Sequence, residues 1–183
     1  MFYQSLVVHC APTLAGIKTG NLFSCNISSE SLHSYVRELN AVLVTRNIRL
    51  IVMKCDNPYS LIYMYRPDFL KKDLSDALAK NLLTKLGYPL PNIAHCVAEL
   101  GHRLRYSSEF PHEIGLFLGY PSVDVNGFIQ NKAQGSKCTG AWKVYGDVEA
   151  SQKKFELYKN CTTCYLNSFQ VHHSIDKLAI AVS

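Results

Sequence analysis

The sequence predicts one α+β domain over residues 1–183: a mixed sheet of four or five strands, two of them paired as a hairpin, covered by four or five helices. Three observations predict it. Apolar residues recur at helical spacing in several separate stretches. Two runs dense in Ile, Val, Met and Tyr flank a short segment of turn-forming residues. No internal repeat or low-complexity linker marks a boundary, and 183 residues suffice for one substantial core.

The elements follow in order. Leu6-Val7-Val8, inside residues 2–10, is an apolar run short enough for a buried strand. Residues 11–26 read as a loop around a short helical turn, with Pro12 near its start and Gly16 and Gly20 as breakers. Residues 28–46 read as an amphipathic helix through Leu32, Tyr35, Val36, Leu39 and Leu43, with Ser28 as N-cap and an Ile27–Leu32 staple. Residues 48–54 and 60–66 form the hairpin strands around Cys55-Asp56-Asn57-Pro58-Tyr59. Pro67 suits the first turn of a helix running to Leu86, closed by Gly87.

Residues 92–106 read as a further helix with Ile93, Val97, Leu100 and Leu104 inward. Residues 116–120 and 142–145 read as strands, with a short helix within 121–130 and a polar loop over 130–140 between them. Asp147 is placed to cap a last long helix carrying Phe155, Tyr158, Thr162, Tyr165 and Phe169 on one stripe. The tail over 174–183 fits either a helix extension or a strand.

Composition narrows the function classes. Apolar residues make up 48% and charged residues 18%, which is globular rather than disordered. The net charge is +5, and residues 132–159 hold six lysines against three acids. Those lysines are interleaved with acids and accompany no nucleic-acid-reading motif, so a solvated basic face is expected and nucleic-acid binding is not. No apolar run approaches the roughly 20 residues that cross a bilayer, and no membrane role is expected. The segment before His9 lacks the basic start and apolar stretch of a signal peptide. A cytoplasmic setting is therefore expected, with the seven irregularly spaced cysteines reduced.

Two patches can carry chemistry. In residues 110–126, Pro111 biases Phe110 towards an extended backbone, and His112 and Glu113 then precede an apolar run ending in Gly-Tyr-Pro. His112 can act as base, donor or metal ligand, with Asp124 in reach to orient it. Against this stands a His112 that merely bonds a neighbouring carbonyl. In residues 9–18, Cys10 falls near the start of the turn opened by Pro12, where a helix N-terminus lowers a thiol pKa. Taken alone, Cys10 reads more readily as a small buried hydrophobe, and Thr13 with Lys18 can instead hold an anion.

Cys161 and Cys164 form a lone C-x-x-C with only His172-His173 nearby, and they fall mid-helix, which favours packing over zinc. His95-Cys96 likewise reads as packing within a helix. No metal site is expected, no cofactor is indicated, and no phosphate loop, paired-carboxylate signature or G-x-S-x-G appears.

The segments HCAPTLAGIKTGNLFS (9–24), YRP (65–67), FPHEIGLFLGYPSVDVNGFIQN (110–131) and GAWKVYGD (140–147) resemble a bacterial family of uncharacterised proteins, domain of unknown function 3793, found mainly in anaerobic Firmicutes. The resemblance spans nearly the whole chain. It departs after Lys18, where the family has Pro and this chain has Thr19-Gly20. It implies a cytoplasmic, anaerobic setting and candidate positions: His9, Cys10, Lys18, Arg66, His112, Glu113, Asp124, Trp142 and Lys143. Two functions then compete. One is binding of a small anionic ligand or a redox protein in a cleft near His112, with His9, Lys18, Arg66, Trp142 and Lys143 as contacts. The other is a thiol-dependent hydrolase or transferase, with Cys10 as nucleophile, His112 as base and Glu113 or Asp124 orienting it.

Overall fold

The computed structural model describes residues 2–56 and 58–182. Asn57, in the expected hairpin loop, lies outside the described residues, as does Ser183 at the end of the ambiguous tail. The elements, in order, are α1 (Phe2–Leu14), β1 (Gly20–Cys25), α2 (Ser29–Leu43), a 3₁₀ turn (Val44–Arg46), β2 (Arg49–Asp56), β3 (Tyr59–Tyr65), α3 (Pro67–Leu74), α4 (Ala77–Lys85), α5 (Ile93–Tyr106), α6 (Ile114–Phe117), α7 (Ser122–Gln130), β4 (Cys138–Thr139), β5 (Lys143–Val144) and α8 (Val148–His172). The class is α+β. The strands form two antiparallel sheets rather than one mixed sheet: β1-β3-β2 and β4-β5. Eight α-helices, not four or five, are formed by the described residues, because one of the expected long helices is broken in two and two expected strands are helical. The chain divides into two compact units, Met1–Asp68 with Tyr158–Ser183, and Phe69–Leu157.

In the first unit, α1 replaces the strand expected at residues 2–10. Leu6, Cys10 and Leu14 repeat every four residues, as do Val7 and Ala11, and all five are buried. A short apolar triplet fits either period, and only these flanking positions decide for the helix. Pro12 lies in the last turn of α1, where its missing N–H removes a single hydrogen bond and does not prevent the helix. The loop expected over 11–26 is therefore the end of α1, a turn at Gly16 (φ 72°), and β1.

The hairpin is as expected, with Asp56 opposite Tyr59 and a bulge between Val52 and Lys54. Phe23, Leu50, Ile62 and Met64 from the sheet join Leu6, Cys10 and Leu14 of α1, Leu32, Leu39 and Leu43 of α2, and Ile175 and Leu178 of the tail in one core. Ser28 does occupy the α2 N-cap position, but its hydroxyl bonds Ser31 Oγ (3.0 Å) and caps no backbone amide.

Arg66 is the most buried ionic side chain of this unit at 1% exposure. Its Nε donates to Thr13 O (2.7 Å), one terminal nitrogen to Leu14 O (2.9 Å) and Ile180 O (2.7 Å), and the other to Arg46 O (3.1 Å). Thr13 and Leu14 carry carbonyls of the α1 C-terminus, which also accept from Gly16 N (3.2 Å) and Ile180 N (3.0 Å), and a cation there complements the helix dipole. One guanidinium thereby joins the end of α1, the 3₁₀ turn and the tail.

In the second unit, the helix expected from Pro67 to Leu86 breaks at Ser75. Asp76 accepts from the amides of Leu78 (3.1 Å) and Ala79 (3.0 Å) and caps α4 as a separate helix. The residues of α4 that face inward are Ala79 and Leu83. The helix expected near 92–106 is α5, and Asn92 caps it through His95 N (3.1 Å). The strand expected at 116–120 is instead α6 followed by a turn at Gly119 (φ 76°). Every residue of α6 is buried, so the alternation that separates strand from helix has no exposed face on which to show. The expected strand at 142–145 contains β5, and Asp147 caps α8 through Ala150 N (3.0 Å). No helix among the described residues is long and apolar enough to cross a membrane.

Candidate functional site

The second unit contains a cleft of about 180 Å³ built largely from the long motif at 110–131. Pro111 O accepts from Ile114 N (3.0 Å), and this turn leaves His112 exposed just before buried α6. The His112 ring lies 5.0 Å from the Phe128 ring and 5.7 Å from the Phe110 ring, centroid to centroid. A second aromatic pair, Tyr120 and Trp142, stacks at 4.8 Å and completes much of the lining. Gly115 lies in the lining because a Cβ there would come within 2.7 Å of Val125 Cγ2 and 3.1 Å of Tyr120 Cδ2. The walls are thus apolar and aromatic, with His112, Asp124, Lys143 and the Tyr120 phenol as the ionisable groups of the cleft.

Asp124 is 2% exposed, and its carboxylate is engaged inside the protein. Oδ2 accepts from Trp142 Nε1 (2.7 Å), while Oδ1 accepts from the amides of Tyr145 (2.8 Å) and Gly146 (2.7 Å). A buried carboxylate needs such donors to offset its desolvation. Asp124 therefore fastens β5 and the turn after it to the first turn of α7, and sets the Trp142 ring in the wall. Lys143 Nζ donates to Ala133 O (2.7 Å), which takes one of three ammonium donors.

Glu113 follows His112 in sequence but serves a different neighbourhood. Its carboxylate accepts from the Tyr88 hydroxyl (2.8 Å) and faces Arg103 at 3.5 Å, and it does not line the cleft. Arg103 also binds Glu99 (2.8 Å) and Leu86 O (2.6 Å), and lies 4.4 Å from the Tyr88 ring centroid. Burial, then the adjacent Glu113 charge, raises the Tyr88 phenol well above its usual range. The expectation that Glu113 orients His112 is corrected on this geometry: Glu113 braces α5 and the segment after α4.

The remaining candidates lie in the first unit. Cys10 was expected near a helix N-terminus. It sits instead on the C-terminal half of α1, fully buried in the core, and burial pushes its thiol upward into the protonated form. The dipole at that end favours cations, not a thiolate. His9 is exposed on the other side of α1 and stacks on Phe23 at 5.5 Å. Lys18 is 7% exposed, neighbours Cys10 and lies 5.8 Å from the Tyr158 ring; burial lowers its pKa to about 8. Thr13 Oγ1 donates to Asn21 Oδ1 (2.7 Å). Cys161 and Cys164 sit within α8 as expected, and burial raises the Cys161 thiol to about 11.

His112, Asp124, Trp142 and Lys143 thus share the cleft of the second unit, whereas Cys10, Lys18 and Arg66 belong to the interior of the first. Sequence reasoning missed Tyr120, Val125 and Phe128 as site residues. Phe128 had a readable signal: it follows Asp124 by four residues on α7 and so shares its face. No group of three or more His, Cys, Asp or Glu among the described residues is placed to hold a metal ion.

The fold and this cleft define an α+β protein whose second unit presents an aromatic-lined cavity. Residues 6–179 match the family model described as a protein of unknown function, DUF3793, and the chain belongs to that family. No curated protein and no solved structure matches it.

Proposed function

We propose that the protein is a binding module that takes a small anionic ligand into the cleft beside His112. One observation carries the reading: the carboxylate of the cleft is committed to three internal donors, while Lys143 retains ammonium donors beyond its bond to Ala133. The charge offered to a ligand is therefore positive, and the His112 ring adds a polar edge at an exposed position. Thiol chemistry draws no comparable support, because Cys10 is a protonated core side chain inside α1.

Thermal unfolding of the intact protein against acetate, inorganic phosphate, benzoate and their neutral amides or esters tests this. Saturable stabilisation by at least one anion is expected, reaching about 2.7 kcal/mol at a hundredfold excess over its Kd. Lys143→Ala should abolish that stabilisation while leaving the ligand-free transition within a few degrees. Equal responses to anions and their neutral counterparts would overturn the reading.

A further inference from the structure

Resting on that reading, we infer that the ligand is a planar aromatic carboxylate, a single ring bearing one acidic group. Size sets the first limit. A dry cavity of about 150 Å³ holds one benzene, so the 180 Å³ of this cleft suits one ring with a small substituent. Nucleotides and other drug-sized ligands generally take pockets of roughly 300–1,000 Å³, so this cleft holds no more than one part of such a molecule.

The lining sets the second limit. The His112 ring meets those of Phe110 and Phe128, and Tyr120 stacks on Trp142. Five aromatic rings around one small space favour a flat guest, because rings meet well in offset-stacked and edge-to-face arrangements. Charge sets the third. Lys143 is the lysine of the lining, at the first residue of β5 and directly after Trp142 in the chain. A guest that places its ring among the aromatic side chains and its carboxylate at Lys143 satisfies both groups at once. Inorganic anions leave the aromatic walls uncovered, and neutral rings leave the ammonium with no anionic partner beyond its bond to Ala133 O.

Trp142 is the only tryptophan of the chain and part of the wall, so its emission reads occupancy directly. The intact protein is titrated with benzoate, cyclohexanecarboxylate, benzamide, acetate and inorganic phosphate, with excitation at the red edge of the indole band. Benzoate should give a saturable change, with a Kd at least about tenfold below those of cyclohexanecarboxylate and benzamide. Lys143→Ala should weaken benzoate by roughly ten- to a hundredfold, the range of a lost charge-assisted hydrogen bond. Lys143→Arg should restore part of that loss, which separates charge from folding damage. Cyclohexanecarboxylate binding as tightly as benzoate would overturn the aromatic assignment. So would Lys143-dependent binding of acetate or phosphate without benzoate, an outcome that leaves the anion-binding reading standing. Failure of every anion to bind would remove both.

Discussion

The indole N–H of Trp142 donates to Asp124 Oδ2 at 2.7 Å, and this bond joins the cleft wall to the first turn of α7. The same carboxylate takes the amides of Tyr145 and Gly146 through its other oxygen. Gly146 permits the approach: a Cβ there would lie 2.5 Å from Val123 Cγ1 and 3.3 Å from Asp124 Oδ1. The short hairpin of β4 and β5, only two residues per strand, thus gains from Asp124 an attachment that its own ladder is too small to supply.

Removing that carboxylate should be costly. Asp124→Ala leaves one indole and two backbone donors without their acceptor, and a loss of about 3 kcal/mol is expected. Asp124→Asn should recover only part of the loss, because its carbonyl oxygen can still accept from Tyr145 and Gly146 while its NH2 faces the Trp142 N–H. Urea unfolding followed by Trp142 emission measures both variants. A loss below 1 kcal/mol in Asp124→Ala would show that the three bonds are individually replaceable by water.

Gly115 tests whether cleft shape is set by packing. Gly115→Ala forces a methyl against Val125 and Tyr120, and overpacking of this kind costs roughly 1–3 kcal/mol. Val125→Ala should relieve part of that clash, so the double variant should be more stable than the sum of the single losses implies. Additive losses in the unfolding free energies would place the strain elsewhere.

The residue types around these sites were legible in the sequence to unequal degrees. The amphipathic helix α2 was readable because its exposed side contrasts with its buried one, and the β2–β3 hairpin because two runs rich in Ile, Val, Met and Tyr flank a short turn-forming segment. α1 and α6 were not, since Leu6-Val7 and the whole of α6 are buried and lose the contrast on which periodicity depends. The same mistake misplaced Cys10: a strand before Pro12 puts the thiol at a helix start, whereas the real α1 puts it in the last turns. His112, Asp124, Trp142 and Lys143, which the sequence offers as separate candidates, line one cleft, but the engagement of Asp124 by backbone amides has no side-chain signature to read.

Arg66 makes a separate prediction for the first unit. Its fork reaches four carbonyls at once, which a lysine cannot reproduce from a single nitrogen. Arg66→Ala should lose about 3 kcal/mol or more, and Arg66→Lys should recover less than half of it. Far-UV circular dichroism during denaturation is the appropriate probe, since Trp142 belongs to the other unit. Full recovery by lysine would reduce Arg66 to a point charge at the α1 C-terminus.

Thiol accessibility should rank the cysteines in a definite order. Cys55 and Cys164 are exposed, whereas Cys10, Cys25 and Cys96 are buried. Mass-spectrometric mapping after brief alkylation of the native protein should label Cys55 and Cys164 first and Cys10 only upon unfolding. Early labelling of Cys10 would return the nucleophile to consideration.

Lys18 supplies a stability dependence on pH whose sign can be stated. Burial lowers its pKa from an ordinary 10.5 to about 8, and the neighbouring Cys10 thiol opposes that only in part. Between those values the unfolded chain binds the lysine proton more fully than the folded one, so this group makes stability rise with pH. Below pH 8 both states are charged and the folded protein bears the full burial cost, of the order of 3 kcal/mol. Above about 10.5 both are neutral and the cost is gone. Cys10 acts in the opposite direction above pH 9, because its folded thiol stays protonated where the unfolded one ionises. Lys18→Met separates the two contributions. At pH 7 the variant should be more stable than the native chain, provided the thioether packs against Tyr158, and its advantage should shrink steadily from pH 8 to 10.5. Unfolding free energies of both proteins across that range give the difference directly, and an advantage that does not change with pH would mean that Lys18 keeps an ordinary affinity for its proton in the fold.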